Sequence, residues 1–160
     1  MKPLPKIICR GIRADHKGKP FNPEQSYWVE GDVSYHQDGR VFIRNWDMGT
    51  YKAFQIVPST LGVFTGFIDI NKRRIFTGDL VKIALDLGYG KFIIAESYVY
   101  FDGGCFCVNW GDQSRVFQGD DRFRSRMDGF NPNNTTFEVI ADVSSVVRNP
   151  IILTNKEESQ

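Results

Sequence analysis

Glycine and proline interrupt nearly every window of this chain in which a helix of ordinary length, about 11 or 12 residues, would otherwise fit. The 160 residues hold 15 Gly and 7 Pro, and 14% are aromatic, with 13 Phe, a bias toward side chains that pack on pleated surfaces. The punctuation predicts a mainly β protein: short antiparallel strands in a β-rich domain with at most one or two short helices. A chain of this length can bury a core, and its 24% charged residues are ordinary for a globular domain. The formal net charge of +1 means that bulk electrostatics neither attract nor repel nucleic acid. No apolar run approaches the ~20 residues of a membrane span, so no membrane partner is expected. The opening MKPLPKIICRG lacks the apolar core of a signal peptide. Three cysteines without framework spacing fit a reducing compartment, and a cytoplasmic location is expected.

In chain order, Lys6–Arg13 reads as an entering strand and Ala14–Gln25 as a loop. Tyr27–His36 is a strand with a bulge or kink at Gly31-Asp32, and Gln37-Asp38-Gly39-Arg40 is the strongest hairpin turn, since Asp-Gly supplies the positive φ of a two-residue turn. Val41–Asn45 returns, Trp46–Thr50 breaks, and Tyr51–Val57 follows. The central stretch runs from Pro58 to Lys82. Two apolar runs, Leu61–Ile70 and Ile75–Ile83, flank Asn71-Lys72-Arg73-Arg74 and read as strand, turn, strand. Leu61–Phe67 and Leu80–Leu85 are expected in one sheet, with Gly78-Asp79 as the turn admitting the second and Val63, Phe67, Val81 and Ile83 in the core. After a turn at Asp86–Gly90, Lys91–Phe101 is one run, Asp102-Gly103-Gly104 turns again, and Cys105–Trp110 pairs back. Gly111–Thr136 reads as a long polar loop with a short helix at Asp121–Met127. Phe137–Val147 is the last strand, and the tail at 155–160 is expected to be disordered.

The chemistry-bearing residues are sparse. His16 and His36 sit in or beside turns with no nucleophile next to them in sequence. Cys105-x-Cys107 puts two thiols on one strand face, which is half a structural zinc site and reads first as core packing. Asp69-x-Asn71-x-Arg73 begins like a calcium loop but lacks its glycine and terminal glutamate. The carboxylates of Glu30-Gly31-Asp32, Gly78-Asp79 and Asp102-Gly103 read as turn formers before acid–base pairs. No cofactor or metal is expected. Two basic clusters, Lys72-Arg73-Arg74 and Arg122, Arg124 and Arg126 around Phe123, are the candidate nucleic-acid contacts. Asp112, Asp120, Asp121 and Asp128 offset the second cluster, so a solvated, ion-paired face is the first reading.

Leu61-Gly62-Val63-Phe64-Thr65-Gly66-Phe67 followed by Asp69, then Ile75-Phe76 and Gly78-Asp79-Leu80-Val81-Lys82, resembles the YopX family, which pairs a GxxTGLxD segment with I(Y/F)EGDIVK. Three further pieces match in order. Arg10-Gly11 resembles the opening FRG with Cys9 at the aromatic position, and Trp28-Val29-Glu30-Gly31 resembles WVEG. Phe137–Asp142 with Asn149-Pro150 resembles EVIGNIYxNP, with Ala141 and Asp142 in place of Gly-Asn. The ordered set spans nearly the whole chain. It departs at Asn71–Arg74, where the family has a tight Asn-Gly turn, and at the polar insert Gly111–Asn134.

The resemblance implies a phage- or prophage-encoded protein of mainly β structure that forms homo-oligomers, and it carries no catalytic motif. Residues 1–154 are expected to form a single YopX-like domain, with an N-terminal lobe 1–57 and a C-terminal part 58–154. The function expected is non-catalytic: a protein-binding or assembly role inside a bacterial host cell. The partner is another copy of itself, or a host or phage protein, with Trp28, Phe42 or Tyr100 partly exposed. The alternative is a nucleic-acid-binding module using the two basic clusters.

Overall fold

The computed structural model of the chain describes residues 6–16, 27–47, 50–109 and 124–142. Among these the architecture is strands joined by turns, with three-residue 3-10 turns at Ala14–His16, Pro58–Thr60 and Met127–Gly129 in place of helices. The protein is mainly β. The expected tail at 155–160 lies outside the described residues. The described residues divide into two compact units, those up to Phe64 and Thr65–Asp142.

The first unit is an antiparallel sheet. Its strands are β1 (Cys9–Ile12), β2 (Trp28–Tyr35), β3 (Val41–Asp47), β4 (Thr50–Ile56) and the start of β5 (Gly62–Ile68), in the order β4-β3-β2-β1-β5. Alternation builds the core: in β3 Val41 and Ile43 are buried while Phe42 is half-buried and Arg44 faces water, and Cys9, Val29 and Ile56 complete the cluster. The 3-10 turn before β5 is fastened by Thr60, whose Oγ1 accepts the Ile12 N–H at 2.9 Å and donates to the Val57 carbonyl at 2.6 Å. At Gly31-Asp32, where a bulge or kink is expected, β2 changes neighbour: it pairs with β1 up to Gly31↔Cys9 and with β3 from Asp32↔Arg44 onward. The glycine is needed at this step, since a Cβ there would lie 2.1 Å from the Arg44 carbonyl oxygen.

The hairpin after β2 also differs from expectation. His36 N–H bonds the Arg40 carbonyl at 2.9 Å and Gly39 N–H the His36 carbonyl at 3.0 Å, so three residues form the loop, with Gly39 at φ 88°. Asp38 keeps an ordinary φ and accepts the Arg40 N–H instead, at 3.0 Å.

In the second unit, the later part of β5 pairs with β6 (Arg74–Phe76). The turn between them has the same plan: Asp69 N–H bonds the Arg73 carbonyl at 2.8 Å and Lys72 N–H the Asp69 carbonyl at 3.0 Å. Lys72 occupies the left-handed position at φ 65°, where the other hairpin places glycine. The hairpin therefore survives the loss of Asn-Gly. Asp69 is 4% exposed, and its Oδ1 accepts the backbone N–H groups of Asn71 and Arg73, both at 2.8 Å, while Oδ2 accepts that of Val139 at 3.0 Å. The pattern that begins like a calcium loop is a carboxylate-stapled turn.

The apolar run Ile75–Ile83 is split. β6 ends at Phe76, and β7 (Leu80–Gly88) belongs to a different three-stranded sheet, β12-β7-β8, with β8 (Lys91–Tyr98) and β12 (Thr135–Ala141). The run Lys91–Phe101 is split too, into β8 and β9 (Tyr100–Asp102), which joins β10 (Cys105–Asn109) and β11 (Arg124–Arg126) in the order β11-β10-β9. Both breaks are one feature. Gly78 N–H bonds the Val99 carbonyl at 2.8 Å and Val99 N–H the Asp79 carbonyl at 2.9 Å, so two segments change sheet where they cross. Asp79 is fully buried and its Oδ2 accepts the Phe76 N–H at 2.9 Å, satisfying a donor that the corner takes out of a ladder.

The expectation of one sheet for Leu61–Phe67 and Leu80–Leu85 is thus corrected. Val81 and Ile83 lie in the core of the second unit with Phe67 against it, whereas Val63 packs in the first. The expected helix at Asp121–Met127 is corrected where described: Arg124–Arg126 is a strand against β10, with Val108↔Ser125 in register, and Met127 opens a 3-10 turn. Tyr100, expected to be partly exposed, is 3% exposed, with its hydroxyl bonded to Asn109 Oδ1 at 2.6 Å. Trp28 and Phe42 are half-buried.

Candidate interaction surface

β7 and β8 form the longest hairpin of the second unit, in register from Leu80↔Tyr98 to Gly88↔Lys91. Tyr89 and Gly90 close it with φ of 55° and 72°, the left-handed pair of a type I′ turn. A register shift between Asp86 and Gly88 leaves Leu87 as the bulged residue. Asp86 fixes this end, its Oδ1 accepting the Gly88 N–H at 2.8 Å and its own N–H bonding the Asn134 carbonyl at 2.7 Å.

Burial changes along the hairpin. Near the corner, Val81, Ile83, Ala95 and Ser97 are buried on one face. Toward the turn both faces open: Leu87 is 54% exposed, Tyr89 fully exposed, Phe92 58%, Ile93 44% and Ile94 46%. Ile93 shares a face with buried Ala95, and Phe92 and Ile94 share the opposite one, so the end of the hairpin projects beyond the core it starts from. Large apolar side chains clustered on one projecting element mark an interaction site more often than scattered exposed residues do. A charged row lies on the outer face, where Lys82 sits between Glu138 and Glu96 in register.

Sequence reading missed this surface. Phe92-Ile93-Ile94 is an unbroken apolar run, the ordinary mark of a strand buried on both faces. The signal that it is exposed is its place directly after a turn at the far end of a long hairpin.

The predicted nucleic-acid residues divide. Lys72, Arg73 and Arg74 are exposed together at the β5–β6 tip. Arg126 is on another sheet and is exposed, held by a two-pronged bond to Asp128 at 2.9 and 2.8 Å. Arg124 is in β11 beside it, and Arg122 and Phe123 lie outside the described residues. His36 is exposed against the Phe42 ring, 4.4 Å between centroids. A depression of about 420 Å³ in the first unit is lined by Arg13, Asp15 and Phe54, but Arg13 is paired with Asp15 at 2.6 Å and stacked 4.9 Å over Phe54. No group of three or more potential metal ligands occurs among the described residues, and no described helix is long and apolar enough to cross a membrane.

No curated protein and no solved structure matches the chain. A family model described as YopX protein matches residues 20–145. That span contains the Thr65-Gly66 strand, the Asp69 staple and the Gly78-Asp79 corner. The match covers well over half of the sequence, and the chain belongs to the YopX family.

Proposed function

We propose that this YopX-family protein is a non-catalytic binding or assembly protein that docks on other proteins through the apolar end of the β7–β8 hairpin. Its first partner is a second copy of itself, and its setting is the cytoplasm of a bacterium carrying a phage or prophage. The observation that supports this reading is the exposure of Leu87, Tyr89, Phe92, Ile93 and Ile94 on both faces of one projecting hairpin. Apolar area taken from water contributes about 25 cal/mol per Å², which makes these side chains the favourable term that docking would draw on.

Light scattering across the micromolar range tests it. The wild type is expected above the monomer mass of 18.3 kDa, and Phe92→Lys with Ile94→Lys is expected to return to it with an unchanged circular dichroism spectrum. A wild type that stays monomeric and captures the same proteins from a bacterial lysate as the double variant contradicts the reading.

A second reading, nucleic-acid binding, is favoured by the joint exposure of Lys72, Arg73 and Arg74 at the β5–β6 tip. Replacing all three by Ala tests it. Micromolar binding of DNA or RNA at physiological salt, lost in that variant, would place this reading first.

A further inference from the structure

We propose that Cys105 and Cys107 are a redox-active dithiol that exchanges with small-molecule disulfides and closes reversibly into a bridge within one strand. Two residues apart on β10, the thiols share a face, and their sulfurs are 3.5 Å from each other. Both are directed at one acceptor: the Asp102 carbonyl oxygen lies 3.3 Å from Cys105 Sγ and 3.8 Å from Cys107 Sγ. Asp102 and Cys105 are partners across the two-glycine turn Gly103-Gly104, with φ of 59° and 80°, so the pair sits at the base of a tight hairpin.

Exposure divides the roles. Cys105 is half-buried and reachable, while Cys107 is fully buried and can react only with its neighbour. The Cys105 thiolate attacks one sulfur of the small disulfide, breaking that bond and releasing one half as a thiol once it takes up a proton. Cys107 then gives up its proton and attacks the Cys105 sulfur, releasing the second half as a thiol. In sum two protein thiols lose two protons and two electrons, and the small disulfide is reduced to two thiols.

Geometry also makes the bridge easy to reopen. Alternate residues of a strand have Cα atoms about 6.6 Å apart, the long end of the roughly 4.4–6.8 Å that disulfides span. Closure therefore contracts β10 against the Cys105↔Asp102 and Cys107↔Arg126 pairs, and strained bridges are the readily reduced ones. Cys9, in the other unit, is the internal control: it is 3% exposed, and burial and then the Asp32 charge push its thiol pKa up.

The test equilibrates the full folded chain in glutathione buffers from reduced to oxidised, followed by acid quenching, alkylation and peptide mass spectrometry. The peptide carrying Cys105 and Cys107 is expected to pass in one step from two alkylated thiols to none, with a loss of two hydrogens, and to return in reduced buffer. Cys9 is expected to stay alkylated throughout. Cys107→Ser is expected to stop with glutathione on Cys105, and Cys105→Ser to leave Cys107 unreacted. A wild type that stays reduced in the most oxidising buffer, or that accumulates glutathione on Cys105 without closing, overturns the proposal. So does closure no faster in the folded chain than in urea, and these wild-type results decide the matter even where a variant fails to fold.

Discussion

Among the described residues of the first unit, the buried side chains are Cys9, Ile12, Val29, Val41, Ile43 and Ile56, with Arg10 and Thr60 as the polar members. Among its described residues the second unit buries twelve apolar side chains, Ile75, Phe76, Val81 and Ile83 among them, and beside them six polar ones, Thr65, Asp69, Asp79, Ser97, Asn109 and Thr135, a larger polar share than the first unit's. The polar groups follow from topology. A meander of neighbouring strands satisfies its own backbone. A chain that changes sheet at a corner leaves backbone donors outside any ladder, and side chains must accept them. Asp79 accepts from Phe76, Asp69 from Val139, and Ser97 Oγ from Asn109 at 2.8 Å. The first unit is a sheet held by its apolar face, and the second is a set of corners held by buried acceptors.

The largest expected effect is on the second unit. Asp69→Ala removes the acceptor of three backbone N–H groups, one of them deep in β12, and should lower stability by about 4 kcal/mol in urea denaturation. Asp69→Asn keeps one acceptor oxygen and should cost roughly half of that. For the first unit the matching lesion is apolar. Ile43→Ala empties a fully buried position and should cost about 3 kcal/mol, measured in the same way. If Asp69→Ala proves the milder of the two, the contrast between the units fails.

Thr60→Val sharpens the comparison from the other side, because Thr60 is the first unit's own buried acceptor. The change keeps shape but strands the Ile12 N–H, and should cost about 1.5 kcal/mol by thermal denaturation. The smallest effect concerns the twin hairpin turns. Lys72 at φ 65° carries a left-handed penalty that Gly39 avoids, so Lys72→Gly should raise stability by about 1 kcal/mol. Gly39→Ala meets nothing within 4 Å and should lower stability by about 1 kcal/mol through its backbone alone.

The strands were legible because their signals are local. Alternation through Val41–Arg44, the Asp38-Gly39 turn and the Gly103-Gly104 turn each follow from a few adjacent residues. The corners were not. Gly78-Asp79 marks a turn within Ile75–Ile83, but nothing in that run or in Lys91–Phe101 shows that the chain changes sheet there, since the change is fixed by a pair of hydrogen bonds between Gly78-Asp79 and Val99, about twenty residues apart. Asp69 was visible as a turn residue, but its bond to Val139 joins positions 70 residues apart. The turn at Asp86–Gly90 was legible from its glycines, but not that Tyr89 takes its first left-handed position, because a tyrosine carries no signature of positive φ. The exposed hairpin end stayed hidden for a related reason: periodicity reports which residues share a face, not whether the face reaches the core.

Acid separates the two means of support most directly. Burial raises the pKa of Asp69, but the Val139, Arg73 and Asn71 N–H groups and the Arg73 charge outweigh it and hold the carboxyl below the ordinary carboxylate range. Its contribution is therefore complete above the unfolded pKa near 4 and is lost as pH falls through the lower folded value. In the first unit Asp38 is also held down, by the Arg40 N–H and guanidinium, but it is exposed and its pairing contributes little. Residue-resolved amide exchange, corrected for intrinsic rates and followed from neutral pH to below 3, tests the contrast. Protection at Val139, Val81 and Ile83 is expected to fall first, while Val33 and Ile43 in β2 and β3 keep theirs. Protection lost in step across both sets, or lost first in β2 and β3, would contradict the contrast between the units.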